Sequence, residues 1–138
     1  MVMKYEEEIE ILRENTHNIL QELLFGVHRL GYKELLVLIP CYAQDSDQSL
    51  TKELYPYTAE YFGYVTWKPV ERTVRVAIRD AWERRKPGVW EKYFPGVKKV
   101  PSNKQFVATI AGWIKMPLPV KGGVHRLPRG YESRWPNP

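Results

Sequence analysis

Residues Thr66 to Arg85, TWKPVERTVRVAIRDAWERR, constrain the fold more than any other stretch of the chain. Read at 3.6 residues per turn, Val70, Val74, Ala77, Ile78 and Ala81 fall on one side and form an apolar stripe that must be buried. Lys68, Arg72, Arg75 and Arg79 recur at steps of four, three and four along another side, with Glu71 and Val76 beside them. Thr66 is placed to cap the free amides. Pro69 falls in the first turn, where its missing N–H removes no helical bond. A helix over about 67–85 with these two faces has two readings: a solvated basic surface, or an element able to lie in a DNA major groove.

Charge is distributed in a way that favours the second. Residues 1–65 carry five Lys/Arg against eleven Asp/Glu, a balance of −6, whereas residues 66–138 carry sixteen against five, a balance of +11. The basic half begins at this helix and offers a face to a polyanion. Acidic lipid is the other polyanion to weigh. The apolar side of the helix holds small aliphatics rather than Trp, Phe and Leu, which suits packing better than bilayer insertion. The longest apolar run, Leu35 to Ile39, is far shorter than the roughly 20 residues of a membrane span. The N-terminus is acidic without an apolar core, so it is no signal peptide. The single cysteine, Cys41, excludes an internal disulfide and fits a reducing, cytoplasmic setting; its neighbours (IPCYA) suggest a buried, inert thiol.

The rest reads as helices. Ile9, Leu12, Thr16, Ile19, Leu23 and Leu30 keep a near-heptad spacing over residues 3–30, broken by Gly31-Tyr32. The acidic start, residues 1–15, is a separable helical arm, with Asn15 or Thr16 available to cap a fresh helix. A second helix over about 33–44 carries LLVLI and is expected at the centre, kinked or ended by Pro40. A third spans about 50–62, with Ser49 as cap, Pro56 inside it and Gly63 as its stop. Helix, short turn and basic helix in succession are the layout of a helix-turn-helix. Beyond it come a short aromatic turn over 89–94 and a last helix over about 103–115, with Phe106, Val107, Ile110 and Ile114 on its apolar side. Residues 116–138 form a basic tail with five prolines and three glycines, unable to continue a helix. The expected fold is therefore all-α: a compact bundle of about six helices over 16–115, between the arm and the tail.

From about Asn18 to Ile114 the chain resembles the C-terminal effector domain of the stage-zero sporulation response regulator. LTKELYPYTAEYF, followed after a short turn by VERTVRVAIRDAW, carries most of the likeness, and KKVPSNKQFVATIA carries a second part. The resemblance implies a domain that binds double-stranded DNA as a transcription regulator. Glu71, Arg72 and Arg75 match the family's base-reading positions. Arginine can donate two bonds to guanine O6 and N7, and glutamate can accept from cytosine N4. Glu71 and Arg75 also stand four apart and can simply pair on the surface. Thr66, Lys68, Arg79, Lys98, Lys99 and Lys104 are assigned to phosphates, which fix register without reading sequence.

The departures are informative. Val76 replaces a polar family residue and can touch a thymine methyl but form no hydrogen bond. Trp67 and Pro69 replace smaller or polar residues at the helix start. The family's phosphorylatable receiver domain has no counterpart here, so the chain is either an excised fragment or a stand-alone relative, and the acidic arm starting at Met1 favours the second. A homodimer or tandem pair on DNA follows from the family and from the small footprint of one such motif. His17, His28 and His125 are isolated, and no zinc spacing or Gly-rich phosphate loop occurs, so no enzyme, metal or cofactor is expected. Two alternatives remain: an adaptor that sequesters a regulator or an RNA polymerase subunit, and a binder that gains affinity from counterion release alone.

Overall fold

The computed structural model describes residues 2–115; the Pro-rich tail over 116–138 lies outside the described residues. Among the described residues six α-helices make up the bundle: α1 Val2–Glu22, α2 Leu30–Gln44, α3 Tyr55–Phe62, α4 Lys68–Glu83, α5 Val89–Tyr93 and α6 Asn103–Lys115. A π-helical segment, Leu50–Leu54, leads into α3. No strand occurs among the described residues. As its LLVLI run requires, α2 is the central rod, buried from Leu35 through Pro40 and packed against α1, α4 and α6. Leu20, Leu38, Ile39, Ile78, Trp90, Phe106 and Ile110 fill the core around it.

Four details differ from the expectation. The first helix stops at Glu22 instead of running to residue 30. Leu24 takes a left-handed conformation, φ 70°, and the chain turns so that Phe25 packs on Phe106, ring centroids 5.4 Å apart. Burial of Phe25 compensates a backbone state that leucine rarely adopts. Second, α1 runs unbroken past Asn15 and Thr16. Thr16 is buried and donates its hydroxyl to the Leu12 carbonyl at 2.7 Å, the bond of a residue inside a helix. Third, Gly31 and Tyr32 lie within the first turn of α2, where the family likeness puts them, and do not precede it as the helical spacing alone implied. Fourth, Thr66 caps nothing: the N-cap position of α4 is Trp67, with no side-chain bond, and Thr66 stays exposed in the turn. Pro69 does take its place in the first turn.

The prolines of α2 and α3 are accommodated differently. Pro40 neither ends α2 nor leaves a carbonyl stranded. Lacking an N–H, it frees the carbonyl of Leu36, one turn earlier, and Arg13 Nε of α1 donates to that oxygen at 3.2 Å. Pro56 sits just inside α3, after the wide turn in which Leu54 N–H reaches back to the Ser49 carbonyl at 3.0 Å. The widening removes the collision between the proline ring and the preceding turn. Ser49 is the cap its chemistry suggested. Its hydroxyl accepts from Lys52 N–H at 3.1 Å while Glu53 accepts from Ser49 N–H at 2.8 Å. Gly63 closes α3 at φ 79°, a left-handed state natural to glycine.

Candidate nucleic-acid interface

The turn over 63–67 sets α4 across the end of α3. Tyr55 and Trp67 stack across this corner, centroids 5.8 Å apart at 15°, which anchors the start of α4 without a polar cap. On α4 itself, Val70, Val74, Ala77, Ile78 and Ala81 are buried, the full stripe expected from spacing. Lys68, Arg72, Arg75, Val76 and Arg79 are exposed on the other side, Val76 at 40%.

Besides the ion pair of Arg29 with Asp80, two hydrogen-bonded tethers grip α4, one on each flank. On the first, Asn103 at the start of α6 donates Nδ2–H to the Glu71 carbonyl at 3.0 Å and to Tyr55 Oη at 3.1 Å. On the second, the buried Glu34 of α2 accepts from Tyr64 Oη at 2.9 Å and from the Thr73 hydroxyl. Burial raises the Glu34 pKa, and the bonds from Thr73 and Tyr64 pull against that rise. Burial and the Glu34 carboxylate together push the Tyr64 phenol up. Gly31 lets the second tether form. A Cβ there would lie 2.5 Å from the Thr73 carbonyl oxygen and 2.7 Å from Ala77 Cβ, so only glycine lets α2 approach α4 this closely.

The candidate residues divide between two surfaces. Glu71, Arg75, Arg79, Lys99 and Lys104 line one cleft of about 670 Å³, together with Tyr55, Ser102 and Asn103. Arg72 and Val76 line a smaller hollow of about 250 Å³ on the other flank, with Arg29, Leu30 and Gly31. Lys68 and Thr66 are exposed at the start of α4, and Lys98 is exposed outside both hollows. Glu71 and Arg75 pair at 4.0 Å, at the limit of an ion pair and largely in solvent. Such a pair is worth about 0–1 kcal/mol, so Arg75 can leave it for a better acceptor at little cost. Cys41 is only partly covered, not fully buried, yet burial raises its thiol pKa and keeps it protonated.

Three residues went unmarked in the sequence. Arg29, just ahead of α2, reaches the α4 flank and pairs with Asp80 at 3.4 Å; nothing local in HRLGY marks it. Asn103 was visible only as a helix start. Glu34 had one signal, a carboxylate three residues after Gly31 and four before Leu38 on the core-facing side of an apolar helix.

A helix closed by a glycine, a short turn and an amphipathic second helix with its cationic side free define a helix-turn-helix domain in an all-α bundle. The chain belongs to the sporulation initiation factor Spo0A C-terminal family, whose family model it matches over residues 16–114. That family consists of DNA-binding effector domains of transcription regulators, and its match spans the region that carried the resemblance. Among the described residues no helix is long and apolar enough to cross a membrane.

Proposed function

We propose that the chain is a sequence-specific regulator in which α4 enters the major groove of duplex DNA. The observation that carries the reading is the free cationic side of α4, flanked by Lys99 and Lys104 on one side and Arg29 on the other. Arg72 and Arg75 donate to guanine edges, Glu71 accepts from cytosine once Arg75 leaves it, and Val76 meets a thymine methyl. Thr66, Lys68, Arg79, Lys98, Lys99 and Lys104 hold phosphates and fix the register; Arg29 joins them by exchanging Asp80 for the DNA backbone. Two copies, as a homodimer or tandem pair, give a footprint long enough for an operator. Binding of this kind keeps the protein on the nucleoid.

Selection of bound duplexes from a random pool tests the reading, followed by isotherms on the selected and a scrambled duplex at two salt concentrations. The proposal expects one recurrent sequence and a specificity ratio of roughly 10³ or more. A steep salt slope without a ratio would show a non-specific binder. No binding to either duplex would turn the reading toward an adaptor of a regulator or polymerase subunit.

A further inference from the structure

We propose that Glu34 is a positioning residue for base reading: from the core, it fixes the rotation of α4 about its own axis through Thr73 and Tyr64. The inference rests on the DNA-reading proposal above. Glu34 touches neither the cationic ridge nor solvent, and its relative exposure is 0%. Its two bonds go to the turn that leads into α4 and to α4 itself. At about 100° per residue, Thr73 stands at the boundary between the buried stripe and the exposed ridge, one step from Arg72. A hold at that edge acts on helix rotation more than on depth of burial. The second tether, Asn103 on the Glu71 carbonyl, grips the other flank. With side chains extending about 5–6 Å from the axis, a turn of roughly 10–20° moves a guanidinium by about 1–2 Å. A bidentate contact to guanine needs donor distances within about 2.7–3.2 Å, so a shift of that size breaks it. Phosphate contacts from flexible lysines tolerate the same shift.

The proton inventory is consistent with such a fixed hold. Thr73 Oγ1 has one hydrogen and three acceptors in reach: Glu34, the Pro69 carbonyl at 2.8 Å and the Val70 carbonyl at 3.3 Å. With Glu34 ionised, Thr73 and Tyr64 donate to its two oxygens. With Glu34 protonated, its own O–H donates to Thr73 Oγ1, whose hydrogen turns to the Pro69 carbonyl. The side chains meet in both states, and a glutamine makes the same two bonds, Nε2–H to Thr73 Oγ1 and Tyr64 O–H to Oε1, while bringing one further N–H.

The test compares wild type with Thr73→Val, Glu34→Met and Glu34→Gln on the selected duplex and on scrambled DNA, with thermal melts alongside. Thr73→Val should lower the ratio of specific to scrambled binding at least about tenfold and leave scrambled-duplex affinity and salt slope at wild-type values. Glu34→Met should do the same, and it serves as the second variant if Thr73→Val does not fold. Glu34→Gln should restore the wild-type ratio. A wild-type ratio in Thr73→Val or Glu34→Met overturns the inference, as does loss of the ratio in Glu34→Gln. Residual dipolar couplings of α4 and α2 amides in the free proteins add a readout independent of DNA. They should report a rotated α4 in Thr73→Val and Glu34→Met but not in Glu34→Gln; an unrotated α4 overturns the inference. Should wild type show no ratio at all, the DNA-reading proposal fails and the couplings alone decide the role of Glu34.

Discussion

Gly31→Ala offers the sharpest probe of how α4 is seated. In an exposed helix interior the change would stabilise by about 1 kcal/mol, because alanine is the better helix former. Here the new methyl would lie 2.5 Å from the Thr73 carbonyl oxygen, where ordinary contact begins at 3.4 Å. The obstruction is backbone and cannot rotate away, so α2 and α4 must part by the shortfall of about 0.9 Å. Overpacking of that kind costs about 1–3 kcal/mol. Parting the helices also stretches the Thr73 bond to Glu34, for roughly another 0.5–1.5 kcal/mol. Set against the propensity gain, these terms leave an expected net loss of about 0.5–3.5 kcal/mol. Urea or thermal unfolding measures it, and Gly112→Ala on α6 is the control. A Cβ at Gly112 meets nothing within 4 Å, so that variant should be stabilised by up to about 1 kcal/mol. If Gly31→Ala melts at or above wild type, the close approach of α2 and α4 is not the reason for the glycine.

Two other measurements probe the interior. Arg13→Met should cost about 1–3 kcal/mol by leaving the Leu36 carbonyl without a donor. In a Pro40→Ala background, where a helical N–H returns, the same change should cost clearly less; additive losses in the double-mutant cycle would show that Arg13 does not serve that carbonyl. For Glu34 the sign follows from its raised pKa. The folded state holds the proton more tightly than the unfolded one. The stabilisation is therefore full below the ordinary glutamate pKa of about 4.3 and is lost as pH rises through the higher folded value. Glu34→Gln should abolish that part of the pH dependence and be at least as stable as wild type at neutral pH; a stability profile parallel to wild type would refute it.

How much was legible follows from the range of each interaction. The apolar stripe of α4 depends only on helical periodicity, and all five of its residues are buried. The stop at Gly63 and the cap at Ser49 are local chemistry and were readable for the same reason. The end of α1 was not, because Leu24 enters a left-handed turn without the glycine that usually announces one. Thr66 looked like a cap by type, yet stacking of Trp67 on Tyr55 fixes the helix start one residue later. Gly31 read as a breaker because its reason lies on another helix, 42 positions further on at Thr73. Glu34 and Arg29 escaped likewise, their partners being brought together only by the packing of α2 on α4. In the site, the exposed positions on α4 were periodic and visible, whereas the tethers that orient them were long-range and not.

The central claim, that the free side of α4 reads bases, is tested most directly by anisotropy titrations of wild type, Arg72→Ala and Arg75→Ala. Each is run on the selected duplex and on its single-base-pair variants. Each substitution should weaken binding to the selected duplex by about 1–3 kcal/mol and erase discrimination at one base pair, leaving the other positions as sharply read as before. Equal losses on every duplex, with the pattern of discrimination unchanged, would contradict the account.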